Sequence, residues 1–197
     1  TADTFSVFGR TVVALLIQIG GLGVTSIGVG FIILSGQRIN LRKRALAKEA
    51  LNYGSFKGIV ALVKSVLIVT ISFELVGIIL SLLVFSKDYA FWDALGISAF
   101  HSVAAFNNSG FDILGGLRNL IPYQNNLLLN LTTCGLIIFG GLGFIVIKEI
   151  IEKRSFTKFS LHSKIVITVT VFLLISGTVF LKLTENITWL GAFFQST

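Results

Sequence analysis

The chain has 197 residues, 54% of them hydrophobic and 13% charged, with a mean hydropathy of +0.90. Long uncharged apolar runs exclude an ordinary soluble domain and indicate a polytopic membrane protein. The net charge of +7 and pI near 9.8 do not indicate nucleic acid, because the positive residues cluster at the ends of apolar runs, where membrane topology accounts for them.

Asp3 and Arg10 fall in the first ten residues with no basic leader, so no cleavable signal peptide is expected. The first residue is not Met and the last lies in mid-element, so the chain is expected to be a piece of a longer protein. Thr11 to Leu34 is uncharged over 24 residues. At ~1.5 Å per residue that is ~36 Å, enough to cross a bilayer with tilt. Its middle reads Gln18-Ile-Gly-Gly-Leu-Gly23, followed by Gly28 and Gly30. Such small residues serve close helix packing or a hinge. From Gln37 to Gly58 six basic residues (Arg38, Arg42, Lys43, Arg44, Lys48, Lys57) meet one acid, Glu49, which marks a cytoplasmic loop with a helix at 45–51. This loop serves topology and headgroup contact, or docks a cytoplasmic subunit. Ile59 to Phe85 is the second span. Lys64 near its inner end can snorkel. Glu74 lies in mid-span and reads as a carboxylate satisfied by donors of a neighbouring loop, or as an ion or coupling site.

Beyond Lys87 and Asp88 comes the most informative stretch, Phe91 to Phe111, FWDALGISAFHSVAAFNNSGF. Trp92 to Phe106 reads as a helix with Asp93 in its first turn, where a carboxylate suits the helix dipole. Fifteen residues at ~1.5 Å each make ~22 Å, too short for a ~30 Å hydrocarbon core. Asn107-Asn108-Ser109-Gly110 then breaks the helix. A half-span helix returning as irregular backbone is a re-entrant pore loop, and such backbone survives in a membrane only inside protein or along a watery cavity. The helix end directs partial negative charge inward, and Gly110 frees the backbone to turn carbonyls toward one axis, as in potassium filters. A helix-loop connection packed against the bundle is the other reading.

Asp112 to Asn126 is an outer loop holding the only proline, Pro122. Residues 86–126 carry only two basic residues, Lys87 and Arg118, which sets the orientation. Leu127 to Ile147 is the third span, with Cys134 as a packing residue; a lone cysteine rules out an internal disulfide. Gly140-Gly-Leu-Gly143 repeats Gly20-Gly-Leu-Gly23 at an offset of 120, an internal repeat of the kind transporters carry. Lys148 to Lys164 is a second basic cytoplasmic loop, with His162 facing solvent. Ile165 to Leu181 is a fourth span of 17 residues. Trp189 to Thr197 then echoes the pore stretch, with Phe194-Gln195-Ser196 standing against Phe100-His101-Ser102.

The Gln18–Gly23 run, Ala99-Phe-His-Ser-Val-Ala-Ala-Phe-Asn-Asn-Ser-Gly-Phe111 and Phe194-Gln-Ser-Thr197 together resemble the Trk/Ktr/HKT superfamily of potassium uptake proteins, nearest the bacterial Ktr-type membrane subunit. The resemblance covers essentially the whole chain. It implies an all-α integral membrane fold of repeated helix–pore loop–helix units around a pseudo-fourfold potassium-type pore, present here in part. Residues 1–58 would end repeat one, 59–164 would form repeat two with its pore loop at 91–111, and 165–197 would start repeat three. The filter strand of repeat two would be Asn107, Asn108, Ser109, Gly110 and Phe111, with Gly110 as the filter glycine. Glu74 and His101 would support it, His101 by hydrogen-bonding loop backbone. The resemblance further implies potassium uptake across the cell membrane, a homodimer, and a cytoplasmic nucleotide-binding regulatory subunit reached through the basic loops. No cofactor and no nucleic acid are implied. Potassium is cargo, with sodium as coupling ion or rival cargo.

Two rival classes fit the residues less well. An intramembrane enzyme lacks a motif, since His101, Cys134 and Glu74 lie on different segments. A non-conducting scaffold has no need of repeated half-span helices. A single glycine in the loop implies modest selectivity, because only Gly110 is expected to be sterically free.

Overall fold

A computed structural model describes residues 3–23, 59–116 and 118–197. The basic loop at 37–58 and the helix expected at 45–51 lie outside the described residues. Among the described residues the secondary structure is helical, without strands.

Helix α1 (Val7–Leu22) starts at Ser6, whose hydroxyl accepts from Gly9 N at 3.3 Å. The rest of the expected span, 24–34, lies outside the described residues. The helix ends at Gly23, whose φ of 77° suits glycine and lies outside the helical region. Helix α2 (Ile59–Phe85) has the expected bounds. Its 27 residues reach ~40 Å, more than a bilayer core. Helix α3 (Phe91–Phe106) is the short helix expected at 92–106, one residue longer at its start, with Asp93 in its first turn.

The third span differs from expectation. Helix α4 (Leu127–Leu142) starts under an Asn126 side-chain cap and stops at Gly143, with φ 85°. The chain then bends by 102° into α5 (Phe144–Lys153). Helix α5 is two-faced: Val146 and Ile147 are buried, while Lys148–Glu152 and Lys153–Glu149 pair at helical spacing on its polar side. A helix turned away from the span and apolar on one side suits a membrane surface. The expected cytoplasmic loop at 148–164 is therefore mostly ordered helix and a short 3-10 turn, Phe156–Lys158. Helix α6 (Leu161–Thr184) begins earlier and ends later than the expected 165–181, because Ser160 caps it. Helix α7 (Trp189–Ser196) follows under a Thr188 cap. Two helices, α2 and α6, are long and apolar enough to cross a membrane, and α4 with α5 makes a third candidate.

The core lies where α1 to α4 meet at their outer ends. It holds Val84 and Phe85 of α2, Ala94, Phe100 and Ala104 of α3, Ile113, and Leu129 of α4, with Val13, Ala14 and Ile17 of α1 against it. In lipid, close fit rather than expulsion of water joins helices, so small residues mark the contacts. A Cβ at Gly77 of α2 would overlap the Ser102 hydroxyl of α3. A Cβ at Gly177 of α6 would overlap the Ser196 hydroxyl of α7 in the same way. In each pair the serine donates to the carbonyl three residues before that glycine: Ser102 Oγ to Glu74 O at 2.7 Å, Ser196 Oγ to Leu174 O at 3.0 Å. The α2–α3 and α6–α7 pairs thus share one contact.

The outer loop is tied down at several points. Tyr123 donates to Asp88 Oδ2 at 2.7 Å and stands edge-on to Phe85. Burial, and then the Asp88 carboxylate, raise the Tyr123 phenol above its ordinary pKa. Buried Asn130 donates to the carbonyls of Tyr123 and Asn126, and Gly116 N donates to Asp3.

Candidate functional site

Helix α3 is buried along most of its second half, from Ser98 through Phe106. Its last turn closes with Asn108 N on Ala105 O and Ser109 N on Ala104 O, at 3.1 and 3.0 Å. This is a Schellman closure, which needs a left-handed residue after the cap. Asn108 supplies it with φ 51°, and Gly110 is left-handed again at 69°. The expectation that Gly110 alone is freed is therefore corrected: asparagine tolerates this region better than other side chains, because its short amide bonds locally. A Cβ at Gly110 would meet nothing within 4 Å, so the glycine is needed there for its dihedrals rather than for room. Beyond it, Phe111 sets its ring edge-on to Phe100 of the core, and Asp112 Oδ1 accepts from Leu114 N. Asn108, Gly110 and Phe111 are exposed in this chain; Asn107 and Ser109 are partly buried.

The two Gly-Gly-Leu-Gly copies flank the end of α3. A Cβ at Gly21 of α1 would overlap the Asn107 amide, and one at Gly140 of α4 would overlap the Phe106 carbonyl. Each glycine makes room for the start of the loop, from opposite helices. Each copy also ends its helix on a left-handed glycine, Gly23 or Gly143.

Glu74 is buried and faces this point. Asn107 Nδ2 donates to Glu74 Oε1 at 3.3 Å, to Gln18 Oε1 at 3.1 Å and to Val103 O at 2.9 Å. The expected loop donor for Glu74 is thus Asn107, and Gln18 joins it from α1. Sequence reasoning had read Gln18 only as part of the glycine run, although a lone amide in an apolar span is itself a signal of a buried partner. His101 is buried, but it does not bond loop backbone as expected. Its Nε2 lies 2.9 Å from Thr133 Oγ1 of α4, with Phe85 edge-on to the ring. The loop backbone is out of its reach because its own closing bonds hold it at the end of α3. Cys134 is buried beside Thr133 and is a free thiol. Among the described residues, no group of three or more His, Cys, Asp or Glu side chains could hold a metal ion.

The site thus brings Glu74 and Asn107 into contact at the inner end of a half-span helix and leaves His101 on the α4 side. Comparisons with known proteins bear on this arrangement. The profile of the TrkH family, described as a cation transport protein, matches residues 1–194. The chain is 38% identical over 173 residues to the Ktr system potassium uptake protein B of Bacillus subtilis, covering 88% of this chain and 38% of that protein. It is 35% identical over 186 residues to the potassium/sodium uptake protein NtpJ of Enterococcus hirae, covering 94% of this chain and 41% of that one. It is 32% identical over 210 residues to the Ktr system potassium uptake protein B of Vibrio alginolyticus, covering 100% and 46%. The chain spans less than half the length of these relatives. Its apolar helices and these relatives make it part of a multi-pass protein of the cell membrane, and the chain belongs to the TrkH family of cation transport proteins.

Proposed function

We propose that the intact protein takes up potassium across the cell membrane and that this chain contributes part of the pore-forming subunit. Asn107 to Phe111 is one strand of the selectivity filter. The observation that carries this reading is the end of α3. A helix too short to cross stops inside the fold, closes on a left-handed asparagine, and continues as exposed backbone with glycine at 110, while glycines on two flanking helices make room for it. Irregular backbone at that depth is tolerated only along protein or water, and loop carbonyls there can replace part of an ion's hydration shell. The contact shared by the α2–α3 and α6–α7 pairs supports a repeated helix–pore loop–helix plan, with 59–164 as one unit and 165–197 as the start of the next.

Sodium is the second reading, because one relative is named for both potassium and sodium. A homodimer and a cytoplasmic nucleotide-binding subunit complete the proposal. They rest on the resemblance to Ktr-type proteins, and the basic, surface-lying segment around α5 offers a contact on the cytoplasmic side. The intact parent protein, expressed in cells lacking their own potassium uptake, should restore growth at low potassium. Gly110→Ser should lower the potassium-to-sodium preference at unchanged protein amount, because serine is strained at a φ of 69°. Unchanged preference would remove this loop from the ion path.

A further inference from the structure

The contact between Ser102 and the Glu74 carbonyl recurs between Ser196 and the Leu174 carbonyl. At the matching position of the second helix pair the residue is leucine. A carboxylate is therefore not needed to join such a pair. The Glu74 side chain is an addition, and it is aimed at one place. It meets Asn107, the residue that caps α3 and opens the loop and whose amide also donates to Gln18 of α1, and it is buried in mid-span. Gly21 leaves the room that the Asn107 amide occupies. Gln18 and Gly21 of α1 and Asn107 at the end of α3 thus converge on one carboxylate.

An acid in mid-membrane is costly unless it is paired or serves a charged pathway. Here its neighbours are two neutral amides, Gln18 and Asn107, and no described cation forms an ion pair with it. The carbonyls of Val103, Ala104 and Ala105, which would otherwise project from the end of α3, already accept hydrogen bonds from the loop.

We infer that Glu74 is the charge that sets cation affinity in this ion path: a carboxylate held by Gln18 and Asn107 at the inner end of the loop, where it attracts a partly dehydrated monovalent cation. Asn107 and Gln18 are positioning residues that hold it. The inference rests on the filter reading of Asn107 to Phe111. A fixed charge in a water-poor site acts on a passing ion with little screening, so its loss weakens binding more than it slows passage.

The test uses the intact parent protein in cells without their own potassium uptake, with initial rates of potassium uptake measured over a range of concentrations. Glu74→Gln keeps the size and the acceptor oxygen and removes the charge. It is expected to raise the apparent KM for potassium about fivefold or more, with Vmax within about twofold and equal protein in the membrane. Glu74→Asp should fall between the two. An unchanged KM in Glu74→Gln overturns the inference and leaves Glu74 as an uncharged brace. If Glu74→Gln does not reach the membrane, Gln18→Leu decides the matter, because it leaves the carboxylate but removes the acceptor that orients the Asn107 amide; its KM should also rise, and an unchanged KM overturns the inference. Gly110→Ser measured in parallel separates the two claims. If it changes ion preference while Glu74→Gln is silent, only the role of Glu74 falls. If Gly110→Ser is silent, the filter reading falls and the placement of Glu74 on the ion path falls with it, whatever Glu74→Gln does.

Discussion

His101 has little freedom once its neighbours are placed. Thr133 Oγ1 donates its only proton to Leu129 O at 2.8 Å, so toward the imidazole it can only accept. The proton shared with it must come from His101 Nε2–H, which fixes the neutral tautomer. A glutamine amide could make the same donation, and glutamine stands at the echoed position, Gln195. We therefore expect His101→Gln to keep potassium uptake within about twofold of the wild type. His101→Leu should lower the thermal midpoint in detergent by about 2–4 °C, the equivalent of one lost buried hydrogen bond. Equal behaviour of the two variants would mean that the ring only fills space. Asn108 carries a parallel lesson. Its left-handed dihedrals are part of the closure of α3, and a pattern search centred on glycine passes over it.

The spanning helices owe their fit to where glycines stand rather than to how many there are. Gly135 and Gly140 lie on the same helix, α4, yet a Cβ at Gly135 would meet nothing within 4 Å while one at Gly140 would overlap the Phe106 carbonyl. Alanine in a helix interior is favoured over glycine by about 0.5–1 kcal/mol. Gly135→Ala should therefore leave uptake intact and raise thermal stability slightly. Gly140→Ala must push backbone at the start of the loop, and uptake should fall at least about tenfold at equal protein amount, because main-chain atoms cannot rotate out of the way as a side chain does. Matching losses in both variants would place the effect in helix flexibility instead. The bend at Gly143 belongs to the same element. It ends α4 and turns the chain by 102° into α5.

Across the molecule, one carboxylate links α5 to the start of α6. Glu149 of α5 accepts from Lys153 Nζ at 2.7 Å and from Ser160 N and Oγ at 2.9 and 3.0 Å, beside the cap of α6. The Lys153 ammonium first, and then the Ser160 amide, hold its carboxyl down at about 2, from an ordinary value of 4.5. A depressed folded value means that the native state favours the ionised form. The stabilisation is complete above the unfolded value near 4.5 and declines as pH falls toward about 2. Amide exchange at the start of α6, corrected for its intrinsic rate, should therefore accelerate as pH drops below about 4.5. Glu149→Gln should show about tenfold faster exchange at neutral pH and no such dependence, since it loses the charge-assisted bonds. A pH profile shared by wild type and Glu149→Gln would assign the junction to apolar packing.

Apolar runs were enough to read a polytopic helical protein and the places of its long helix α2 and short helix α3. Those properties follow from bilayer thickness and the cost of charge in lipid, and both act on the chain locally. The bounds of α2 and α3 could be read for that reason. Helix stops at Gly23 and Gly143 could not, because an apolar run through glycine reads equally well as a straight span or a bend, and the choice rests on what packs alongside. The partners of Glu74 and His101 lay beyond the reach of sequence for a related reason. Gln18, Glu74 and Asn107 are brought together from three helices, and Thr133 was no more visible as the acceptor for His101 than any other hydroxyl in a span. Hydrogen bonds across helices depend on rotation and depth of neighbours that no local pattern encodes, whereas crossing the membrane depends only on length and polarity.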